Sequence, residues 1–113
     1  MSEARLAAGI EASALIRRAE SEGGFGMVIQ RGDAERGAVL LTMIERGAYR
    51  GMWERSLQAG GIYAWGATGP SESESDKAPQ YVDRRRRADP DCWILELDVA
   101  SVERFIAETI SAG

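Results

Sequence analysis

The chain has 113 residues, of which 44% are hydrophobic and 28% charged, with a formal net charge of −4. That suits a single globular domain over 1–113 with one core, and the acidic balance disfavours general attraction to nucleic acid or an anionic membrane. No apolar run approaches the roughly 20 residues of a membrane span, the N-terminus carries no continuous apolar signal segment, and the one cysteine, Cys92, cannot form an internal disulfide, all of which points to a reducing, cytoplasmic setting.

Histidine is absent. Serine–histidine and cysteine–histidine nucleophile pairs are therefore excluded, and a structural zinc site has neither the histidines nor the cysteines it needs. Only a carboxylate, tyrosine or lysine with a strongly shifted pKa is left as a general base. The single lysine, Lys77, falls in a loop reading. No catalytic residue, cofactor site or metal site is assigned from the sequence, and an enzyme is the least favoured class.

In chain order, Ala12, Leu15, Ile16 and Ala19 form a helical stripe, while Leu6 and Ile10 lie off it. The pattern predicts an extended Arg5–Gly9 and a helix from about Ile10 to Glu22, stopped by Gly23-Gly24. Phe25 to Glu45 then reads as two strands joined in a hairpin. Phe25, Met27 and Ile29 alternate with Gly26, Val28 and Gln30, and Ala38 to Ile44 is apolar on both faces, which demands cover on both. Asp33 suits the turn between them and Gly37 suits a positive φ at a bulge. A third strand is expected over Tyr49–Ser56 and a short fourth over Ile62–Trp65. Gly66 to Ala78 is polar and low in complexity and reads as a surface loop. A helix over 77–88, capped by Asp76, places Ala78, Tyr81, Val82, Arg85 and Ala88 on one stripe, and Asp89-Pro90-Asp91 ends it. Cys92 to Leu97 reads as a fifth strand. Asp98 is the expected cap of a last helix whose stripe is Val99, Val102, Phe105, Ile106 and Ile110. The order α-β-β-β-β-α-β-α predicts an α+β fold, an antiparallel meander of about five strands with three helices packed on it.

Gln30-Arg31-Gly32-Asp33 with Gly37-Ala38-Val39-Leu40, then Tyr81-Val82 and Arg86-Arg87-Ala88-Asp89-Pro90-Asp91-Cys92-Trp93, resemble the DUF1491 proteins of alphaproteobacteria. The resemblance spans about Arg5 to Ile106 and rests on the order and spacing of these short motifs. It implies a bacterial cytoplasmic protein and supplies no chemistry. Cys92 stands where the family has another apolar residue, and Ala88 where an aromatic is common, which argues against a shared thiol role.

The residues offered for ligand or partner contact are Arg31, Asp33, Arg84, Arg86, Arg87, Asp89, Asp91 and Trp93. Arg31-Gly32-Asp33 spells an adhesion tripeptide, but turn chemistry accounts for it. The arginine run Arg84–Arg87 reads either as a phosphate contact or as a solvated helix end, where cations suit the dipole and nearby aspartates. The second is the simpler reading, and Arg85, inside the apolar stripe, is expected to pair structurally. Asp33, Asp89 and Asp91 have no recognised metal-loop spacing. Trp53, Trp65 and Trp93 fit a core or an interface equally well. The leading reading is a non-catalytic interaction protein with a second copy or another protein as partner. A nucleic-acid or phosphorylated-ligand binder is the alternative.

Overall fold

The computed structural model describes residues 7–111. Among them run α1 (Ala8–Ser21), β1 (Phe25–Gln30), β2 (Val39–Glu45), β3 (Ala48–Leu57), β4 (Tyr63–Thr68), α2 (Ala78–Ala88), β5 (Trp93–Val99) and α3 (Val102–Ile106). The α+β class and the order of elements are those read from the sequence.

The strands form one sheet in the order β1-β5-β2-β3-β4. The hairpin predicted over Phe25–Glu45 does not form, because β5 lies between its two strands, antiparallel to β1 and parallel to β2. The meander is thus corrected to a mostly antiparallel sheet with one parallel pair. The reason is burial. β2 and β5 are apolar on both faces and take the two positions where both faces are covered, while β1 goes to the edge.

One face holds α1 and α3, where Ala12, Leu15 and Ala19 pack with Leu41, Met43, Leu95, Leu97 and Phe105. The other holds α2 over Leu40, Met52, Cys92 and Ile94, with Tyr81 and Val82 closing the contact. A Leu at the centre of such a core contributes about 2–5 kcal/mol relative to Ala.

Several local readings shift. Helix α1 begins at Ala8, with Gly9 inside it and bonded to the Ala34 carbonyl at 2.9 Å. The extended Arg5–Gly9 therefore fails at Ala8 and Gly9, and its Arg5 and Leu6 lie outside the described residues. The expected loop 66–78 is largely regular. β4 runs to Thr68, and Glu72–Lys77 is a 3-10 helix with a capping box between Ser71 and Glu74. It is fastened by Arg50 to Glu72 at 2.7 Å and by the Tyr49 hydroxyl, which donates to the Pro70 carbonyl at 2.6 Å. Asp76 does not cap α2, since the chain enters that helix directly from the 3-10 turn and Lys77 occupies the cap position without a side-chain bond. Asp98 does not cap the last helix either. It sits in β5 and accepts from the Arg46 amide, while Ser101 caps α3 by accepting from the Arg104 amide at 3.2 Å. Past Ile106 the helix widens into a π turn over Ala107–Ser111.

Candidate functional site

The end of the sheet where β1 runs into β2 gathers Arg31, Asp33, Asp89, Asp91 and Trp93 of the residues singled out in the sequence. The Asp33 amide donates to the Asp91 carbonyl at 3.0 Å. The Trp93 indole N–H donates to the Asp33 carbonyl at 2.7 Å, and the Arg31 guanidinium lies 5.2 Å from the Trp93 ring centroid. Gly32 is required here, because a Cβ on it would run into the Asp91 carbonyl, and Gly37, at φ +121°, faces that same carbonyl. Two segments some sixty positions apart in sequence are therefore held backbone to backbone.

The carboxylates of this end are spent on the chain itself. Asp33 Oδ1 accepts from the Glu35 and Arg36 amides at 2.9 and 2.8 Å, and these two bonds hold its pKa below the ordinary carboxylate value. Asp89 accepts from the Asp91 amide at 3.2 Å and lies 3.6 Å from Arg85. Asp91 is exposed and lines an open depression with Asp33, Glu35, Arg36 and Gly37. Asp33, Asp89 and Asp91 do not converge as ligands, and no group of three or more metal-capable side chains occurs among the described residues. Cys92 is buried, its thiol donating to the Trp93 carbonyl at 3.3 Å, and burial pushes its pKa up to about 11. Such a thiol is packing, not a nucleophile.

Arg84, Arg86 and Arg87 lie apart from this cluster, exposed on the outer side of α2. Arg85 turns inward instead and grips Glu54 of β3 through two bonds of 2.7 Å each, which raises its pKa further above the usual arginine value. Arg55 is buried and stacks on Tyr63, 4.3 Å from its centroid, and Trp53 and Trp65 are partly buried against the main core.

Sequence reasoning missed three features. Gln30 bridges the Asp89 and Cys92 carbonyls at 3.1 and 2.8 Å. Its place in the Gln30–Asp33 motif was the only signal. Glu54, the partner of Arg85, carries no local mark at all. The third is the outer edge of β1. It has a neighbour on one side only, carries no charged residue, and leaves Phe25, Met27 and Val28 56%, 47% and 39% exposed. Beside it runs a groove of about 310 Å³ lined by Ile10, Ile16, Val28, Arg31 and Trp93.

The fold and these motifs define a small α+β protein whose sequence landmarks knit one end of a five-stranded sheet. The chain matches the sequence model described as a protein of unknown function, DUF1491, over residues 6–107, and it belongs to that family. A crystal structure of a DUF1491 family protein from Caulobacter crescentus is 34% identical, with a TM-score of 0.73 over 89% of this chain and 94% of that one. An NMR structure of a DUF1491 family protein from the same organism is 35% identical, with a TM-score of 0.74 over 88% and 91%. The solution structure of a protein from A. tumefaciens shares the fold at 22% identity, with a TM-score of 0.67 over 89% and 92%. No protein of curated function matches the chain.

Proposed function

We propose that the chain is a non-catalytic interaction protein of the bacterial cytoplasm that self-associates through the free edge of β1. The observation that carries this reading is the exposure of Phe25, Met27 and Val28 on an edge strand without a charge. Strand edges that are not used for pairing are blunted by charged residues, proline, a bulge or a covering element; β1, FGMVIQ, has no charge and no proline, and its one irregularity lies past the Phe25–Val28 ladder. At the other edge, β4 presents mainly small residues, Ala64, Gly66 and Ala67.

The register follows from symmetry. Directly opposed residues of an antiparallel pair lie on the same face, so two copies related by a two-fold axis set one residue of β1 opposite itself. The regular ladder of β1 covers Phe25–Val28 before its register shifts. With Gly26 on the axis, Phe25 of each copy meets Met27 of the other, a favourable sulfur–aromatic pairing. Val28, on the opposite face, adds apolar surface beside the Ile10–Ile16 groove. The reducing compartment is supported by the buried free thiol of Cys92, and the bacterial setting by the organisms of its relatives.

Sedimentation velocity across protein concentration tests the proposal. The wild type is expected to sediment as a dimer and Met27→Lys as a monomer with an unchanged circular dichroism spectrum. A wild type that stays monomeric throughout refutes self-association, and a dimer indifferent to Met27→Lys refutes the edge.

A further inference from the structure

The outward side of the last turn of α2 is made of guanidinium groups that self-association through β1 does not use. Arg85 is drawn to Glu54 and so fixes how the helix is rotated. At about 100° per residue, Arg87 falls about 200° round from Arg85, close to the outward pole, and Arg84 and Arg86 fall about 100° to either side of Arg85. All three are exposed. None of them forms an ion pair with a described residue. Arg84 rests 6.0 Å from the Tyr81 ring centroid. Of the neighbouring carboxylates, Asp89 is taken up by Arg85 and the Asp91 amide, which leaves exposed Asp83 and Asp91. The turn is a local excess of positive charge on a chain whose net charge is −4.

We infer that the Arg84–Arg86–Arg87 surface of α2 is a binding site for the phosphate backbone of single-stranded nucleic acid. Guanidinium forks match phosphate oxygens in a bidentate way that ammonium groups do not. Arg84 and Arg86 lie on opposite flanks of the helix, so the three heads do not converge on one phosphate. A chain of phosphates draped over the helix end reaches each in turn. A single strand is flexible enough to follow the helix end from one guanidinium to the next. The phenol of Tyr81 is bonded to Thr68 at 3.0 Å and half-buried, so α2 offers no free aromatic face for base stacking and the site reads charge, not sequence.

Fluorescence anisotropy of a labelled 20-nucleotide oligouridine tests this directly. Three phosphate contacts at roughly 0.7 released counterions each give a slope of log K against log salt of about −2, hence roughly 20-fold weaker binding at 200 mM than at 50 mM salt. Arg86→Ala with Arg87→Ala is expected to reduce the slope to about −0.7. Arg86→Lys with Arg87→Lys keeps the salt slope, because the charge remains, but weakens the binding, and Arg17→Ala with Arg104→Ala, which removes the same charge elsewhere, leaves it unchanged. No binding at 50 mM salt, or equal losses from the two alanine pairs, overturns the assignment. So does preferential retention on vesicles containing anionic lipid, which would make the surface a membrane contact. The test is separable from self-association, since Met27→Lys is expected to leave the slope per chain unchanged.

Discussion

Removing Arg85 strands the Glu54 charge against the sheet, and removing Glu54 leaves Arg85 only Asp89, 3.6 Å away. The two bonds are 2.7 Å long and the side chains are only 20% and 17% exposed. Breaking a fully buried pair by deleting one partner costs about 3–5 kcal/mol, and an exposed pair is worth about 0.2–1 kcal/mol. The partial exposure here places Glu54→Ala and Arg85→Ala at about 2–3 kcal/mol each. Replacing both by methionine removes the charges together and fills the space, so the double variant should lie within about 1 kcal/mol of the wild type. Urea denaturation followed by tryptophan fluorescence reads this. With a slope of about 1 kcal/mol/M for a small domain, each single variant loses about 2–3 M of midpoint and the double most of a molar or less. Single variants that each cost under about 0.5 kcal/mol, with additive effects in a full cycle, would show that the pair does not hold α2 to the sheet. The orientation of the outer arginines would then lose its support as well.

How far such features could be read from the sequence depends on whether their cause is local. The two central strands were legible because AVLLTMI is nearly and CWIL wholly apolar at successive positions, which double-sided burial accommodates. Which strands pair was not legible, since the insertion of β5 beside β2 is decided by competition for central positions rather than by anything in the 31–37 turn. Within that turn the local chemistry was legible, with Asp33 accepting from the Glu35 and Arg36 amides and Gly37 at a positive φ, although the turn closes no hairpin. The 66–78 segment was misread because its serines and glutamates resemble a solvated linker. The Ser71–Glu74 spacing of a capping box was present as a countersign. At the candidate site, Arg31, Asp33, Asp91 and Trp93 were each visible in motifs, but the bond from the Trp93 indole to the Asp33 carbonyl joins segments that no local pattern relates. Glu54 was invisible for the same reason, being one ordinary glutamate on the strand beneath α2.

The close backbone approach at the site makes two further expectations. Gly32→Ala forces a Cβ into the Asp91 carbonyl, a contact between two backbones that no side-chain rotation relieves. Overpacking of this kind costs about 1–3 kcal/mol, which thermal unfolding would report, and an unchanged midpoint would mean that the Asp33 and Asp91 segments separate freely. Asp33→Ala tests the same end through pH. The folded-state pKa of Asp33 is depressed by the Glu35 and Arg36 amides, so the carboxylate stabilises the fold where it is charged in both states, above its unfolded value near 4. That contribution fades as pH falls through the depressed folded value, where folded and unfolded chains are both protonated. The gap in urea midpoint between wild type and Asp33→Ala should therefore be full at pH 7 and shrink steadily below pH 4. A gap that stays constant down to pH 2 would mean that the side chain contributes without its charge, and no gap at any pH would mean that the turn is held by the Asp33 amide and carbonyl alone, through Asp91 and Trp93.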